Sequence, residues 1–388
     1  MRAARFLVLA AAIPLSPAAA ADLLFGGTAQ VRLGYADNPF LDPNAPGGSA
    51  QVAGTLAPRL TRTTSLGQTV LSATYDRNQY LSHYSYSDSI AADLRQSERF
   101  NERLSGAFHA GYLNSKNPFI GSSLAQPVDP TTGAATPIDE LTTGQRTQSY
   151  TADTNFSWIP TARDSMTIAG NYTRSTYDSS GRTLASNYSN YGGNASYMRT
   201  LGPRSKVGLQ VVVNHSDSDA YGSSTSYQPN LVLQWAFTQF WAFNGSVGAI
   251  FQNATGQKAS HSLGFNGSLC GTYPRDTICF TASRQTAASG IGGLRTDLRF
   301  GTNFTYRLTE HSSITGTASY SNSKSKGGTV ADQDQKFTQA GVDYSRVVSQ
   351  RVSVGFGGRY QQRSSQLQGK AHALSGTINL TASFGRTQ

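Results

Sequence analysis

The sequence predicts an all-β fold: a transmembrane up-and-down antiparallel β-barrel of about eighteen strands, with sixteen as the fallback. Three observations carry that expectation. There is an export signal at the start, two-faced stretches recur throughout, and the connections alternate between short and long. The two-faced pattern is plainest in the last stretch, Ala371 to Gly385. Leu374, Gly376, Ile378, Leu380, Ala382 and Phe384 fall on one face, and Ser375, Thr377, Asn379, Thr381 and Ser383 on the other. Side chains alternate along a strand, so one side is apolar and uncharged and the other small and polar. A soluble antiparallel sheet shows the same alternation. Its recurrence along an exported chain is what points to a wall between hydrocarbon and water.

Residues 1–21 read as a secretory signal peptide, and residues 22–388 as one outer-membrane β-barrel domain. Arg2 and Arg5 supply the positive start, Phe6 to Ile13 the short apolar core, and the alanines at 18–21 the small-residue cleavage site. No later window approaches the roughly 20 apolar residues of a membrane-spanning helix. Hydrophobic content is 38%, while Gly (39) and Tyr (19) are abundant. A wall that needs apolar side chains on one face only has such a composition; a two-domain soluble enzyme needs more Leu, Ile and Val. The net charge of +10, less the two signal arginines, leaves +8. That balance suits contact with anionic outer-membrane lipid and lipopolysaccharide, or a lumen biased toward anions. Nucleic acid is not an expected partner, because the arginines are dispersed along strands and form no dense basic run.

In order, strands are expected near 27–36, 49–60, 67–78, 86–99, 102–113, 147–159, 164–176, 186–199, 204–216, 224–237, 240–252, 260–271, 276–287, 294–308, 311–322, 335–347, 350–362 and 371–385. The stretches 86–99 and 186–199 are the least regular, hence the sixteen-strand fallback. With both termini periplasmic, every second connection is short, as at Pro160–Arg163, Gly202–Arg204 and Pro274–Arg275. The intervening ones, such as 36–48, 115–146, 177–185 and 323–334, are mostly longer and rich in Gly, Ser, Asn and Asp. Short periplasmic turns and long outer loops are the asymmetry of Gram-negative outer-membrane barrels, and a Greek-key sandwich would not sort its loops so.

The faces also sort by charge. Rows such as Val207, Leu209, Val211, Val213 and Val352, Val354, Phe356, Tyr360 are apolar, while their partner rows hold Lys206, Gln210, Asn214 and Ser353, Arg359, Gln361. The expected lumen charges are Arg32, Arg59, Arg95, Arg99, Lys206, Arg299, Arg307 and Arg359 against Asp93, Asp153, Asp297 and Asp343. Eight bases facing four acids would favour anions; pairing between neighbouring strands would instead stiffen the wall. Trp158, Trp235 and Trp241 sit near strand ends, as interfacial girdles do.

At its start the chain resembles the β-barrel porin type 2 family of proteobacterial outer-membrane barrels. The resemblance rests on Leu33-Gly34-Tyr35-Ala36-Asp37-Asn38-Pro39-Phe40, on Leu56-Ala57-Pro58-Arg59-Leu60, and on the tyrosine-rich stretch Tyr75 to Tyr80. Beyond residue 115 it is one of architecture. Some members lie in exopolysaccharide-export loci, so the resemblance implies passage of a glycan and partnership with polysaccharide-export components. A barrel of this kind also implies the outer-membrane barrel-assembly machinery as a partner. That machinery usually meets a chain ending on its aromatic, whereas here Gly385-Arg386-Thr387-Gln388 follow Phe384.

Two further features bear on chemistry. Cys270 and Cys279 are symmetric about Pro274-Arg275, which would set them opposite each other across one hairpin, on the polar face. An exported protein keeps disulfides, and a directly paired site brings the Cβ atoms nearly close enough. The connection 115–146 carries four prolines and the acids Asp129, Asp139 and Glu140. In porins, which this architecture resembles, the third outer loop narrows the lumen; such a long connection folds inward or stays a mobile surface loop. No catalytic residue, metal site or cofactor is expected. His215-Ser216, His261-Ser262 and His83-x-Ser85 place hydroxyls beside imidazoles, but adjacency on a strand points the two to opposite faces. The function expected is therefore a passive, anion-leaning channel for solutes or exported polysaccharide. The alternative is an occluded barrel whose long outer loops bind a partner or surface glycan.

Overall fold

In the computed structural model the described residues are 22–116, 146–178, 186–255, 258–290, 293–324, 334–365 and 369–385. They form eighteen antiparallel strands and no helix. In chain order these are β1 (Asp22–Ala36), β2 (Ser49–Thr63), β3 (Gly67–Tyr80), β4 (Ser87–Arg99), β5 (Leu104–Lys116), β6 (Arg146–Trp158), β7 (Asp164–Tyr177), β8 (Tyr188–Gly202) and β9 (Ser205–Ser218). The second half comprises β10 (Gly222–Ala236), β11 (Trp241–Ala254), β12 (Ser260–Thr272), β13 (Asp276–Ser289), β14 (Gly293–Thr309), β15 (Ser312–Lys324), β16 (Gln335–Ser349), β17 (Val352–Ser365) and β18 (Gly369–Gly385). Each stretch expected from alternation is a strand, the two that the fallback would drop included. Residues 1–21, expected to be a signal peptide, lie outside the described residues.

Every strand pairs with its sequence neighbours, and β1 pairs with β18 from Gly26↔Gly385 to Ala36↔Ser375. That last ladder closes the sheet and removes the free edges an open sheet would carry. Residues opposite each other across a ladder share a face, so the register extends the alternation around the whole wall. Val31↔Leu380, Leu33↔Ile378, Leu231↔Leu209 and Phe356↔Ile378 join apolar rows. Those rows are the exposed ones: Leu209 is 63% exposed, Ile168 64% and Leu374 60%. The partner rows hold the most deeply buried polar side chains, among them Asn78, Ser216 and Ser226. Leucines out and asparagines in is the inverse of a water-soluble protein, and it is what a wall needs when its outer solvent is hydrocarbon.

The two ends of the barrel differ. Residues 64–66, 203–204, 273–275, 310–311 and 350–351 connect strands at one end, with 100–103, 159–163 and 237–240 only slightly longer. Side-chain acceptors build these turns. Asn101 Oδ1 takes the amides of Arg103 and Leu104 at 2.8 Å each, and Thr238 Oγ1 those of Phe240 and Trp241 at 3.1 Å. The other end carries the long connections 37–48 and 325–334, although 219–221 and 366–368 there are short. Aromatics divide the same way. Trp158, Trp235 and Trp241 all sit at the short-turn end, where Trp241 Nε1 donates to Tyr273 Oη at 2.7 Å. Tyrosine pairs lie toward the long-loop end, Tyr112 with Tyr150 and Tyr172 with Tyr191, each with ring centroids 5.1 Å apart.

If the apolar rows face hydrocarbon, a charge placed midway along one is costly. Leu209→Arg should lower the stability of the lipid-inserted barrel by about 2–4 kcal/mol, and Gln210→Arg, one residue along, by much less. Equal losses in urea titrations of the two variants in lipid vesicles would contradict this assignment of faces.

Candidate functional site

The polar face encloses the candidate site, and charge is unevenly distributed along it. Arg32 (β1), Arg59 (β2), Asp93, Arg95 and Arg99 (β4), Asp153 (β6), Lys206 (β9), Asp297, Arg299 and Arg307 (β14), Asp343 (β16) and Arg359 (β17) all fall in the row opposite the exposed apolar one. Toward the long-loop end and the middle, charges are consumed in pairs. Arg32 bonds Asp76, and Arg299 Nη2 lies 2.9 Å from Asp297 Oδ2. Asp93 and Asp153 clasp His109 on the intervening strand, at 3.0 Å to Nε2 and 2.8 Å to Nδ1. Sequence reading named both carboxylates and missed the imidazole between them, because their meeting is set by the β4–β5–β6 register.

The remaining cations behave otherwise. Arg59, Arg95, Arg99, Lys206, Arg307 and Arg359 make no ion pair among the described residues. Five of them, Arg59, Arg95, Arg99, Lys206 and Arg307, lie within a few residues of the short-turn end of their strands. Asp343 is the acid of the original set that no cation or imidazole engages among the described residues. The ion pairs of the inner surface thus lie in the middle and toward the long-loop end, and the short-turn end is a basic mouth.

At the long-loop end the inner wall is covered by pieces of the chain itself. The hairpin β13–β14 bends off the wall. The β12–β13 ladder stops at Phe265↔Arg284, whereas β13–β14 pairing runs on to Ser289↔Gly293. Beyond that point both faces of β13 are buried, from Thr286 to Ser289. Thr286 Oγ1 meets Ser226 Oγ of β10 at 2.8 Å, Gln252 of β11 donates to the Leu294 carbonyl at 3.0 Å, and the Ser186 amide donates to the Gly290 carbonyl at 2.8 Å. Ala288 and Leu294 pack on Tyr188 of β8, with Tyr177 alongside. The tip therefore lies along the inner surface of β8–β11. Its outward row explains why: Ile278, Phe280 and Ala282 are apolar, but Arg284, Thr286 and Ala288 give hydrocarbon little to hold.

A second piece folds inward opposite. In the connection 37–48, Leu41 is fully buried in a cluster with Phe337, Ala371 and Ala373 of the inner wall. Arg363 donates to the Leu41 carbonyl at 2.7 Å, and Phe40 packs on Tyr80 and Tyr84 at 5.3 and 5.1 Å. Asn38 closes the loop on itself, accepting from the Asp42 amide and donating to its carbonyl, both at 2.9 Å. Leu41 takes a positive φ of 51°, a conformation its surroundings must hold. For 115–146 the sequence leaves infolding and a mobile surface loop both open, and its Asp129, Asp139 and Glu140 lie outside the described residues. The inward elements seen are 37–48 and the β13–β14 tip. The signals for them were faint: two bulky residues, Phe40 and Leu41, in a polar loop, and an apolar row that ends early.

Cys270 and Cys279 are register partners in the β12–β13 ladder and form a disulfide, S–S 2.11 Å. The bridge clamps the shortest ladder in the wall, the one that infolding truncates. His215 and Ser216 point to opposite faces. The imidazole reaches Thr225 Oγ1 at 2.8 Å, and the Ser216 hydroxyl is buried on the inner row with no partner among the described residues.

No family model and no curated protein matches the chain. Solved structures share its fold at low identity. A BenF-like porin from Pseudomonas fluorescens Pf-5 superposes with TM-score 0.50 at 8% identity, over 94% of this chain and 99% of that one. The apoprotein FrpB iron transporter from Neisseria meningitidis also gives 0.50, at 9% identity over 92% and 81%. OccK2 (OpdF) from Pseudomonas aeruginosa gives 0.49, at 9% over 94% and 98%.

Two measurements address this site. Replacing residues 287–294 by a two-residue turn should raise single-channel conductance if the infolded tip restricts the bore, and an unchanged conductance rejects that role. Cys270→Ser combined with Cys279→Ser should cost about 2–4 kcal/mol of unfolding stability, read from denaturant titration of the oxidised and doubly substituted chains.

Proposed function

We propose that the protein is an outer-membrane channel for passive passage of solutes or an exported glycan, with its long-loop end outward and both termini in the periplasm. One observation supports this above others: a closed eighteen-strand wall, apolar outside and polar inside, with six inward cations that no carboxylate neutralises among the described residues. Passage is diffusion along rows of Ser, Thr, Asn and Gln. Selectivity comes from the basic mouth formed by Arg59, Arg95, Arg99, Lys206 and Arg307, which raises the local concentration of anions. The acids that could offset those cations are largely engaged elsewhere, two by His109, one by Arg32 and one by Arg299. The motif resemblance to export-linked barrels makes an anionic polysaccharide a fitting cargo. We assign the chain no catalytic role.

The infolded tip and the 37–48 loop favour a second reading, an occluded barrel whose outer loops bind a partner or surface glycan. Planar-bilayer conductance with polymers of graded size separates the two. An open pore excludes polymers above its bore, and an occluded barrel gives no steps. In a salt gradient the reversal potential should show anion preference. Arg59→Gln, Arg99→Gln, Lys206→Gln and Arg307→Gln together should move it toward zero; cation preference in the unsubstituted chain would overturn the selectivity assignment.

A further inference from the structure

Outside the lumen, the outward row of β3–β7 carries a cluster of charge at its long-loop end. Arg77 pairs in register with Asp88, and Lys116 with Arg146. Arg174 lies on the same face in β7, level with Tyr150 and two rows toward the bilayer from Arg146. Cation and ring contacts organise the group. Arg77 Cζ and Lys116 Nζ each stand 4.9 Å from the centroid of the Tyr86 ring, and Arg146 bonds Asp88 and Asn114, both at 2.7 Å. Among the described residues this face holds four cations, Arg77, Lys116, Arg146 and Arg174, and two carboxylates, Asp88 and Asp178, of which Asp88 bonds Arg146. Drawing two like charges onto one aromatic ring is unfavourable unless an anion lies against them.

Height along the wall says which anion. The four lie ten to twelve residues from the short-turn end of their strands. At about 3.3 Å per residue and a tilt of about 40°, that is roughly 25–30 Å up, the top of an apolar band about 25 Å tall. Directly beneath, on the same outward face, are the Tyr112–Tyr150 and Tyr172–Tyr191 pairs, side chains that favour the boundary between acyl chains and headgroups. A ligand here has its anionic groups at the cations and its hydrocarbon against the tyrosines and the wall below.

We infer that this rim, Arg77, Lys116, Arg146 and Arg174 around Tyr86, binds the phosphates of an outer-leaflet glycolipid of the lipid A class. The inference rests on the outward orientation proposed above for the long-loop end. Phosphate suits the arginines, whose planar forks take oxyanions in pairs, with Lys116 as a point charge beside them.

The test uses the purified full chain in detergent, titrated with bisphosphorylated lipid A and read by native mass spectrometry. A saturable one-to-one adduct is expected. Arg77→Gln with Lys116→Gln, and separately Arg174→Gln, should each weaken it by about fivefold per cation removed. Lys324→Gln with Lys336→Gln, on the opposite side of the barrel, should leave it unchanged. Heat-modifiable gel mobility confirms that each variant is folded; should the double variant fail, exposed Arg174→Gln carries the comparison. Absence of the adduct, equal binding by the rim variants, equal loss in the Lys324 and Lys336 control, or equal competition by phosphatidylglycerol overturns the inference. Conductance of the same preparations keeps the two readings apart. A barrel that conducts but does not bind lipid A sinks this site alone, and one that binds but does not conduct sinks the channel alone.

Discussion

The structure depends on one ladder, between the first strand and the last. Where water is excluded, an unpaired backbone amide or carbonyl is too costly to tolerate, so a sheet can stand in hydrocarbon only if it has no edge. The β1–β18 register, from Gly26↔Gly385 to Ala36↔Ser375, meets that condition. Once the sheet closes, every strand has one face committed to the outside and one to the inside, and alternation along eighteen strands becomes a property of the whole wall. The composition follows from it: sparse apolar content suffices because only half of each strand needs it.

Closure also explains the odd seam between β12 and β13. The outward row of β13 loses its apolar character at Arg284, so the strand gains little by staying in the wall, and the inner surface of β8–β11 offers hydroxyls, an amide and Tyr188 instead. Leaving the wall shortens the ladder, and the Cys270–Cys279 bridge sits in the part that remains. Covalent support appears where hydrogen bonding is thinnest.

Period-two alternation made the strands readable in the sequence, down to those at 86–99 and 186–199, because each residue's face follows from its neighbours. The row to which each charged residue belongs was readable for the same reason. Partnerships were not. That His109 lies between Asp93 and Asp153, or that Arg32 meets Asp76, depends on how far each strand slides against the next, and the lengths of the connections do not encode it. The infolded tip was hidden further still, since Ser226 and Thr286 are 60 residues apart and meet across the interior. What marked it was only the early end of an apolar row. The Cys270–Cys279 pairing needed no such distant information, being symmetric about its own turn.

The uneven aromatic girdle has a practical consequence. The chain's three tryptophans, Trp158, Trp235 and Trp241, all crowd the rim with the short turns, and the opposite rim is furnished with tyrosine. Indole fluorescence from the intact protein is therefore a one-sided gauge. Quenchers fixed at different depths in a single leaflet would report which boundary that rim has reached as the barrel assembles, with no label attached.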